Sequence, residues 1–420
     1  MSKVKNIADV VSGHLCAGCG VCSYLAPDAL EMVDSIDLGK RPLVKDQLRF
    51  NAVSNDILES CPGWKIERLP EKEESIKELQ ALWGNVYEVW EGYATDKQVR
   101  KSGSSGGVIT ALSQYCLDYE GMGHVVNTAA DNKTPYINKT NSSRTKEEMG
   151  AAAGSRYSPS SPCENLESIE NSSNACVFVG KPCDVYAVHK ARIKRPNLDK
   201  NLGLVLSFFC AGVPSTRGTL KLMQKMGVKS EKNVQSLQYR GDGWPGLWTV
   251  KYQENNELQQ QQLTYQESWG ELQKDRQWRC YICPDHVGEF ADIAIGDPWY
   301  RKVKEGEGGR SLIIVRTERG RQILRDAQKQ GVIAIQKCTP DILPRSQPNL
   351  IVAKNVLWGR LLALRLSGAR FPIFTGFKLF ELWKTNLTLK EQAKSIIGTA
   401  KRVYIKKLLC KQIVKNTTAM

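Results

Sequence analysis

The sequence predicts an α+β chain in three parts: a cysteine-rich module over residues 1–80, a mixed α/β body over 81–345 and a basic helical region over 346–420. Three observations predict it. Four cysteines fall within the first 61 residues, short apolar runs of strand length alternate with helix-period segments across the body, and positive charge collects at the end. At 420 residues the chain also exceeds the usual size of one hydrophobic core, so more than one module is expected.

The first part is read from its thiols. Cys16, Cys19 and Cys22 form Cys-x2-Cys-x2-Cys, and Cys61-Pro62 follows at a distance. Three thiolates in one run with a remote Cys-Pro is the spacing that wraps a [4Fe–4S] cube. Gly18 and Gly20, set between the thiols, let backbone amides approach the sulfurs. Structural zinc normally uses two separated Cys-x2-Cys knuckles, which this run is not. A ferredoxin-like [4Fe–4S] module with Cys16, Cys19, Cys22 and Cys61 as ligands is therefore expected. Glu71-Lys72-Glu73-Glu74 reads as a helix or linker leading out of it.

The body follows. Ala175–Gly180, Leu202–Cys210, Ala291–Asp297 and Ser311–Arg316 are apolar runs suited to buried strands. Val108–Tyr119 carries apolar residues at helical spacing, and Arg319–Lys329 has helical composition up to Gly331. The Ser-, Asn- and Thr-rich stretch from Asp131 to Ser173 reads as loops with one short helix at most.

Two features of the body carry chemistry. Cys183 follows the apolar run ending at Gly180, Cys210 ends another, and Cys280 and Cys283 form a further Cys-x2-Cys. Spacing leaves two readings open: a second four-thiolate site, or unrelated core thiols. Cys116, Cys163, Cys176, Cys338 and Cys410 stand outside such patterns and are read as structural. The second feature is Lys101-Ser102-Gly103-Ser104-Ser105-Gly106-Gly107, just ahead of the helix at Val108. Small residues there expose amides beside the helix's positive end, which suits a phosphate or a flavin edge; a plain helix cap is the bland alternative.

Charge closes the reading of composition. The chain carries +15, and residues 346–420 hold fourteen Lys/Arg against Glu381 and Glu391, so +12 of it lies there. A nucleic-acid binder would spread that charge over its folded core, so nucleic acid is not an expected partner. No run of about 18 apolar residues and no apolar leader core occur, which points to a cytoplasmic protein with reduced thiols. In the last region Val403, Ile405, Leu408, Leu409 and Ile413 are read as one apolar helix face ringed by lysines. Peripheral membrane contact, docking of an acidic carrier and plain packing are its three readings.

Taken together, CAGCGVC with the later CP, KSGSSGGVITAL, GSRYSPS (154–160), VGKPCDVYAV (179–188), FFCAGVPS (208–215) and CYICPDHVGEFADIAIGDPW (280–299) resemble one family. It is the coenzyme-deazaflavin hydrogenase/dehydrogenase beta-subunit family, which includes 7-hydroxymethyl chlorophyll a reductase-like iron–sulfur flavoproteins. The resemblance spans about residues 10–320 and stops before the basic region. It implies bound FAD, with Lys101 to Gly107 lying against it and Arg156, Tyr157 and Lys181 nearby. It also implies a second [4Fe–4S] cluster on Cys183, Cys210, Cys280 and Cys283.

The expected function is an iron–sulfur flavoprotein oxidoreductase passing electrons from ferredoxin, or a similar carrier, through two clusters to FAD and an organic substrate. The alternative is an electron-transfer subunit of a larger hydrogenase or dehydrogenase that reduces a deazaflavin, or an adaptor without a substrate of its own. Lys101 and Asp297 are the candidate proton donors, Asp297 weighed against a simple turn role.

Overall fold

The apolar runs of the body alternate sides as they enter a sheet. In Cys176–Gly180, Val177 and Val179 face one apolar cluster while Phe178 faces another; in Leu202–Phe208, Leu204 and Leu206 oppose Val205 in the same way. That period of two is what a strand buried on both faces requires. The computed structural model describes residues 4–302 and 307–415. Within it, eight strands form one mixed sheet in the order Ile333–Lys337, Glu88–Ala94, Ser311–Val315, Ile293–Gly296, Leu202–Phe208, Cys176–Gly180, Val125–Ala130, Asn138–Ser143. From Ile293–Gly296 to Val125–Ala130 the strands run parallel, and both flanks are antiparallel.

Helices cover both faces, as a parallel sheet demands. Val108–Asp118 and Glu318–Lys329 pack Val108, Leu112, Ile323 and Leu324 on one side. Pro182–Lys194 packs Val185, Tyr186 and Val188 on the other. A separate three-stranded antiparallel sheet, Val234–Gln238, Leu247–Glu254 and Glu257–Thr264, forms around the buried Trp248.

One expectation is corrected here. The stretch 131–173 contains the edge strand Asn138–Ser143 and three helical segments, Lys146–Ala151, Pro162–Asn165 and Leu166–Glu170. Asn138–Ser143 carries no apolar residue, so no hydrophobic alternation marked it; its pairing with Val125–Ala130 makes it a strand.

The two ends of the chain are built together. One apolar cluster draws on Val10, Leu15 and Ile66, on Phe178, Tyr186 and Trp278, and on Leu357, Leu364 and Val403. Ile373–Thr375 pairs in parallel with Lys65–Glu67, and Arg370 binds Asp9 at 2.9 Å. His14 contacts the Cys410 carbonyl at 2.9 Å and Gln412 at 3.1 Å. The basic region therefore packs on the cysteine-rich module. Its expected apolar face is split: Val403 and Leu408 are buried, whereas Ile405, Leu409 and Ile413 are exposed, and the helix Leu389–Ile405 ends before Leu408.

Candidate electron-transfer site

The parallel strands end on one side of the sheet, and the sequence motifs follow those ends. Gly180-Lys181, Phe208–Gly212 and Gly296-Asp297 leave the sheet there and line a common cavity of about 250 Å³. Ligand sites of open α/β sheets lie beyond the carboxyl ends of the strands. Gly103, Ser104, Ser105 and Gly107 form another part of the wall, with Ser155, Arg156 and Tyr157 beside them.

The Gly/Ser loop is shaped by two different demands. Gly107 sits at φ +74°, and a Cβ there would meet the Val99 carbonyl at 2.6 Å, so only glycine starts the helix Val108–Asp118 this way. No side chain caps that helix, and Val108, Ile109 and Thr110 of its first turn line the cavity. Their amides are the unpaired donors of a helix start, an electropositive seat for phosphate. Gly106 answers to packing instead. A Cβ there would meet the Gly92 carbonyl at 2.6 Å and the Ser311 amide at 2.8 Å, both in the sheet. Lys101 is exposed, and neither it nor Ser102 nor Gly106 lines the cavity. That position leaves the expected proton-donor role of Lys101 without a path to the cavity.

Asp297 does line it, in a role unlike the expected one. Both carboxylate oxygens accept from Arg240, at 2.9 and 2.8 Å, and the Trp244 indole donates to one of them at 2.7 Å. Burial works against the Arg240 charge, but Asp297, with Tyr157 and Tyr265, outweighs it and shifts its pKa upward. The pair is an ionic brace in the cavity wall. Arg240 also lies over the rings of Tyr265 and Trp299, which stack with centroids 5.1 Å apart. Tyr157 and Trp269 extend this aromatic wall, at 5.0 Å. Arg156 donates to Asn138, to the Leu237 carbonyl at 3.1 Å and to the Pro135 carbonyl at 2.5 Å, which fixes the loop rather than freeing a cation. Lys181 is buried, bonded to Asp184 and to the Ser160 hydroxyl, each at 2.8 Å.

Arg240, Tyr265, Trp269 and Trp299 were not anticipated. Of these, only Trp299 lay in a quoted motif, at the end of residues 280–299, and nothing there announced a shared cavity.

The cysteines gather in two sets. Cys16, Cys19, Cys22 and Cys61 are all buried, and the Gly18 amide donates to Cys16 Sγ at 3.4 Å. Burial pushes the Cys22 thiol well up, and the neighbouring Cys19, Cys16 and Cys61 add to it. In the second set the Val213 amide donates to Cys280 Sγ at 3.3 Å, and the Cys210 amide bonds to the His286 carbonyl at 2.9 Å. Burial, then the charges of Cys280 and Cys283, push Cys210 up to about 12. Among the described residues no three His, Cys, Asp or Glu side chains converge closely enough for a single metal ion. Tetrahedral zinc at about 2.3 Å from each sulfur would need that convergence. A cube spreads its thiolates over four irons, and two sets of four thiols drawn in from solvent are a donor set that fits it. Cys163, read as structural, lies against Cys19, and its thiol donates to the Asp184 carbonyl at 3.5 Å, next to Cys183.

Residues 89–167 match the pattern for the N-terminal part of the coenzyme F420 hydrogenase/dehydrogenase beta subunit, and residues 174–341 match the pattern for its C terminus. The chain belongs to the coenzyme F420 hydrogenase/dehydrogenase beta-subunit family. Among relatives, coenzyme F420 hydrogenase subunit beta of Methanococcus voltae is 25% identical over 256 residues, 60% of this chain and 84% of that one. F420-dependent formate dehydrogenase subunit beta of Methanocaldococcus jannaschii is 24% identical over 250 residues, 58% of this chain and 60% of that one. A structure of the F420-reducing [NiFe] hydrogenase complex from Methanosarcina barkeri overlays at TM-score 0.49 and 20% identity, over 68% of this chain and 96% of that one. This is an oxidoreductase family. The matched stretches hold nearly all of the sheet, most of the cavity lining and the second cysteine set, and they leave the first set and the basic region, with Gln347 and Leu350 of the lining, outside. No helix among the described residues is long and apolar enough to cross a membrane.

Proposed function

We propose that this F420 beta-subunit relative is an electron-transfer subunit that links two cysteine-held [4Fe–4S] clusters to FAD in the cavity. One observation carries the reading: Cys210 of the second set is itself part of the wall that the Gly/Ser loop also lines. Thiol site and cavity thus share a boundary, with no intervening layer of protein. A bound flavin supplies the exchange between single electrons and a hydride.

The chain's own residues do the rest. The first-turn amides of Val108–Asp118, with Gly103 to Ser105, hold an anionic group. The Arg240–Asp297 brace keeps the aromatic wall of Tyr265, Trp269 and Trp299 in place and limits water. Lys181, tied to Asp184, sets a fixed cation between the cavity and Cys183. The hydride acceptor or donor is proposed to be a deazaflavin of the coenzyme F420 type, because the relatives' names are those of hydrogenase and formate dehydrogenase subunits. These names favour a subunit of a complex over a free-standing reductase. Ferredoxin as donor is a second reading, favoured by the first cysteine set lying outside the family stretches, where a one-electron carrier would enter.

Anaerobic chain given reduced ferredoxin and oxidised coenzyme F420 should bleach the deazaflavin, at a rate that falls when FAD is stripped. Oxidation of ferredoxin without bleaching would point to another organic acceptor. Absence of both would leave a role that depends on the rest of a complex.

The helix Leu389–Ile405 presents Lys390, Lys394 and Lys401 outward together with Ile397 and Tyr404, which are 68% and 72% exposed. We propose that this face rests on an anionic membrane surface, apolar side chains inserting among lipids while each lysine adds about 1 kcal/mol. Flotation with anionic vesicles, lost at high salt and in Ile397→Ser/Tyr404→Ser, is the expected result. No flotation of the intact chain would remove it.

A further inference from the structure

Two arginines between the cysteine sets are buried without an acid. Arg41 is 3% exposed and Arg279 is 4% exposed. Arg41 donates to the Lys40 carbonyl at 2.7 Å and to Gln277 at 3.0 Å. Arg279 donates to the Pro62 carbonyl at 2.7 Å and to the Ile282 carbonyl at 3.0 Å. The Nε of each is buried and has no partner, and among the described residues neither guanidinium forms an ion pair. Burying a lone cation costs several kcal/mol unless a nearby anion compensates it. Arg240, 2% exposed, has the Asp297 carboxylate, and Arg316, equally buried, lies within reach of the Glu289 and Asp285 charges.

Their placement says where the anion belongs. Gln277 lies three residues before Cys280, so one Arg41 donor reaches the second set. On the other side a Cβ on Gly18, inside the Cys16–Cys19 loop, would stand 3.5 Å from Arg41 Nη1. The Arg41 charge acts on both Cys16 and Cys280. Pro62 and Ile282, the acceptors of Arg279, are the chain neighbours of Cys61 and Cys283, and its charge reaches Cys16 and Cys283. Each arginine therefore touches a loop of one set and a loop of the other.

We propose that Arg41 and Arg279 form a cationic bridge between the two clusters, holding both in register and raising the reduction potential of each. This rests on the electron-transfer reading above. A cube held by four thiolates carries net negative charge, which grows when it takes an electron; a fixed buried cation beside it favours the reduced form. One bridge serving two clusters also lowers the repulsion between them when both are reduced. The arginines are positioning residues, acting through the cluster environment and making no bond to iron.

The test is a potentiometric titration of the anaerobic full-length chain followed by EPR, for wild type, Arg41→Met, Arg41→Lys, Arg279→Met and Arg279→Lys. Arg217→Met, at an exposed pair with Asp37, is the control. Each Met variant should lower the reduction equilibrium of both clusters about tenfold, about 59 mV downward for a one-electron couple, with Lys restoring most of it. Met variants at wild-type potential, or Lys variants shifted as far as Met, would overturn the bridge. If a Met variant loses a cluster, retention in the Lys variant supports the charge, and loss in both overturns it. A wild-type chain without two EPR-active clusters would instead bring down the underlying reading.

Discussion

The two cysteine sets hold the same number of thiols in different surroundings. The first is enclosed: all four cysteines are buried, between the opening helices and the returning basic region. The second is half-buried and opens on the cavity through Cys210. The difference teaches a direction. On the electron-transfer reading proposed above, the set at the cavity exchanges electrons with whatever the cavity holds, and the enclosed set relays them toward the module's own surface. The second set falls within the stretches matched by the family patterns, and the first lies ahead of them.

The largest effect should come from breaking either set. Cys19→Ser is expected to remove about half of the iron and leave flavin content unchanged. Cys210→Ser should also remove about half, and lower flavin occupancy because Cys210 is cavity wall. Iron, sulfide and flavin assays on both variants decide it. Equal flavin in both would erase the distinction between an enclosed set and a cavity set.

Next in size is the brace. Arg240→Met leaves Asp297 without its partner in a largely buried site, at a cost of about 3–5 kcal/mol. Urea unfolding should show that loss, with flavin released before the iron of the first set. The smallest effect concerns acid. Burial lowers His286 to about 4, and its Nδ1 contacts the Cys210 carbonyl at 2.8 Å. Between pH 6.5 and 4 only the unfolded chain takes that proton, so stability is full above 6.5 and falls as pH drops toward 4. At pH 5 the loss is about 2 kcal/mol, and His286→Gln should abolish it in urea midpoints compared at pH 7 and 5. His14, half-buried beside the first set, should contribute less on the same comparison.

The same contrast explains what could be read from residues. The grouping of the first set was legible because three of its cysteines are closely spaced with glycines between them. The second spans Cys183 to Cys283 across three elements, so only the family resemblance joined it. The strands at Cys176–Gly180, Leu202–Phe208, Ile293–Gly296 and Ser311–Val315 announced themselves as apolar runs, since a sheet buried on both faces needs them. Asn138–Ser143 did not, because a polar edge strand owes its form to its neighbour. Gly106 and Gly107 look alike in sequence, yet one fits the sheet and the other starts a helix at the cavity. The Arg240–Asp297 pair joins residues 57 apart, beyond the reach of any local pattern.

The central claim is that one chain carries two clusters and one flavin around a shared boundary at Cys210. Anaerobic purification followed by iron, acid-labile sulfide and flavin analysis tests it most directly. The account predicts about eight irons, about eight sulfides and one FAD per chain. Bound zinc without sulfide, or about four irons with no flavin, would contradict it.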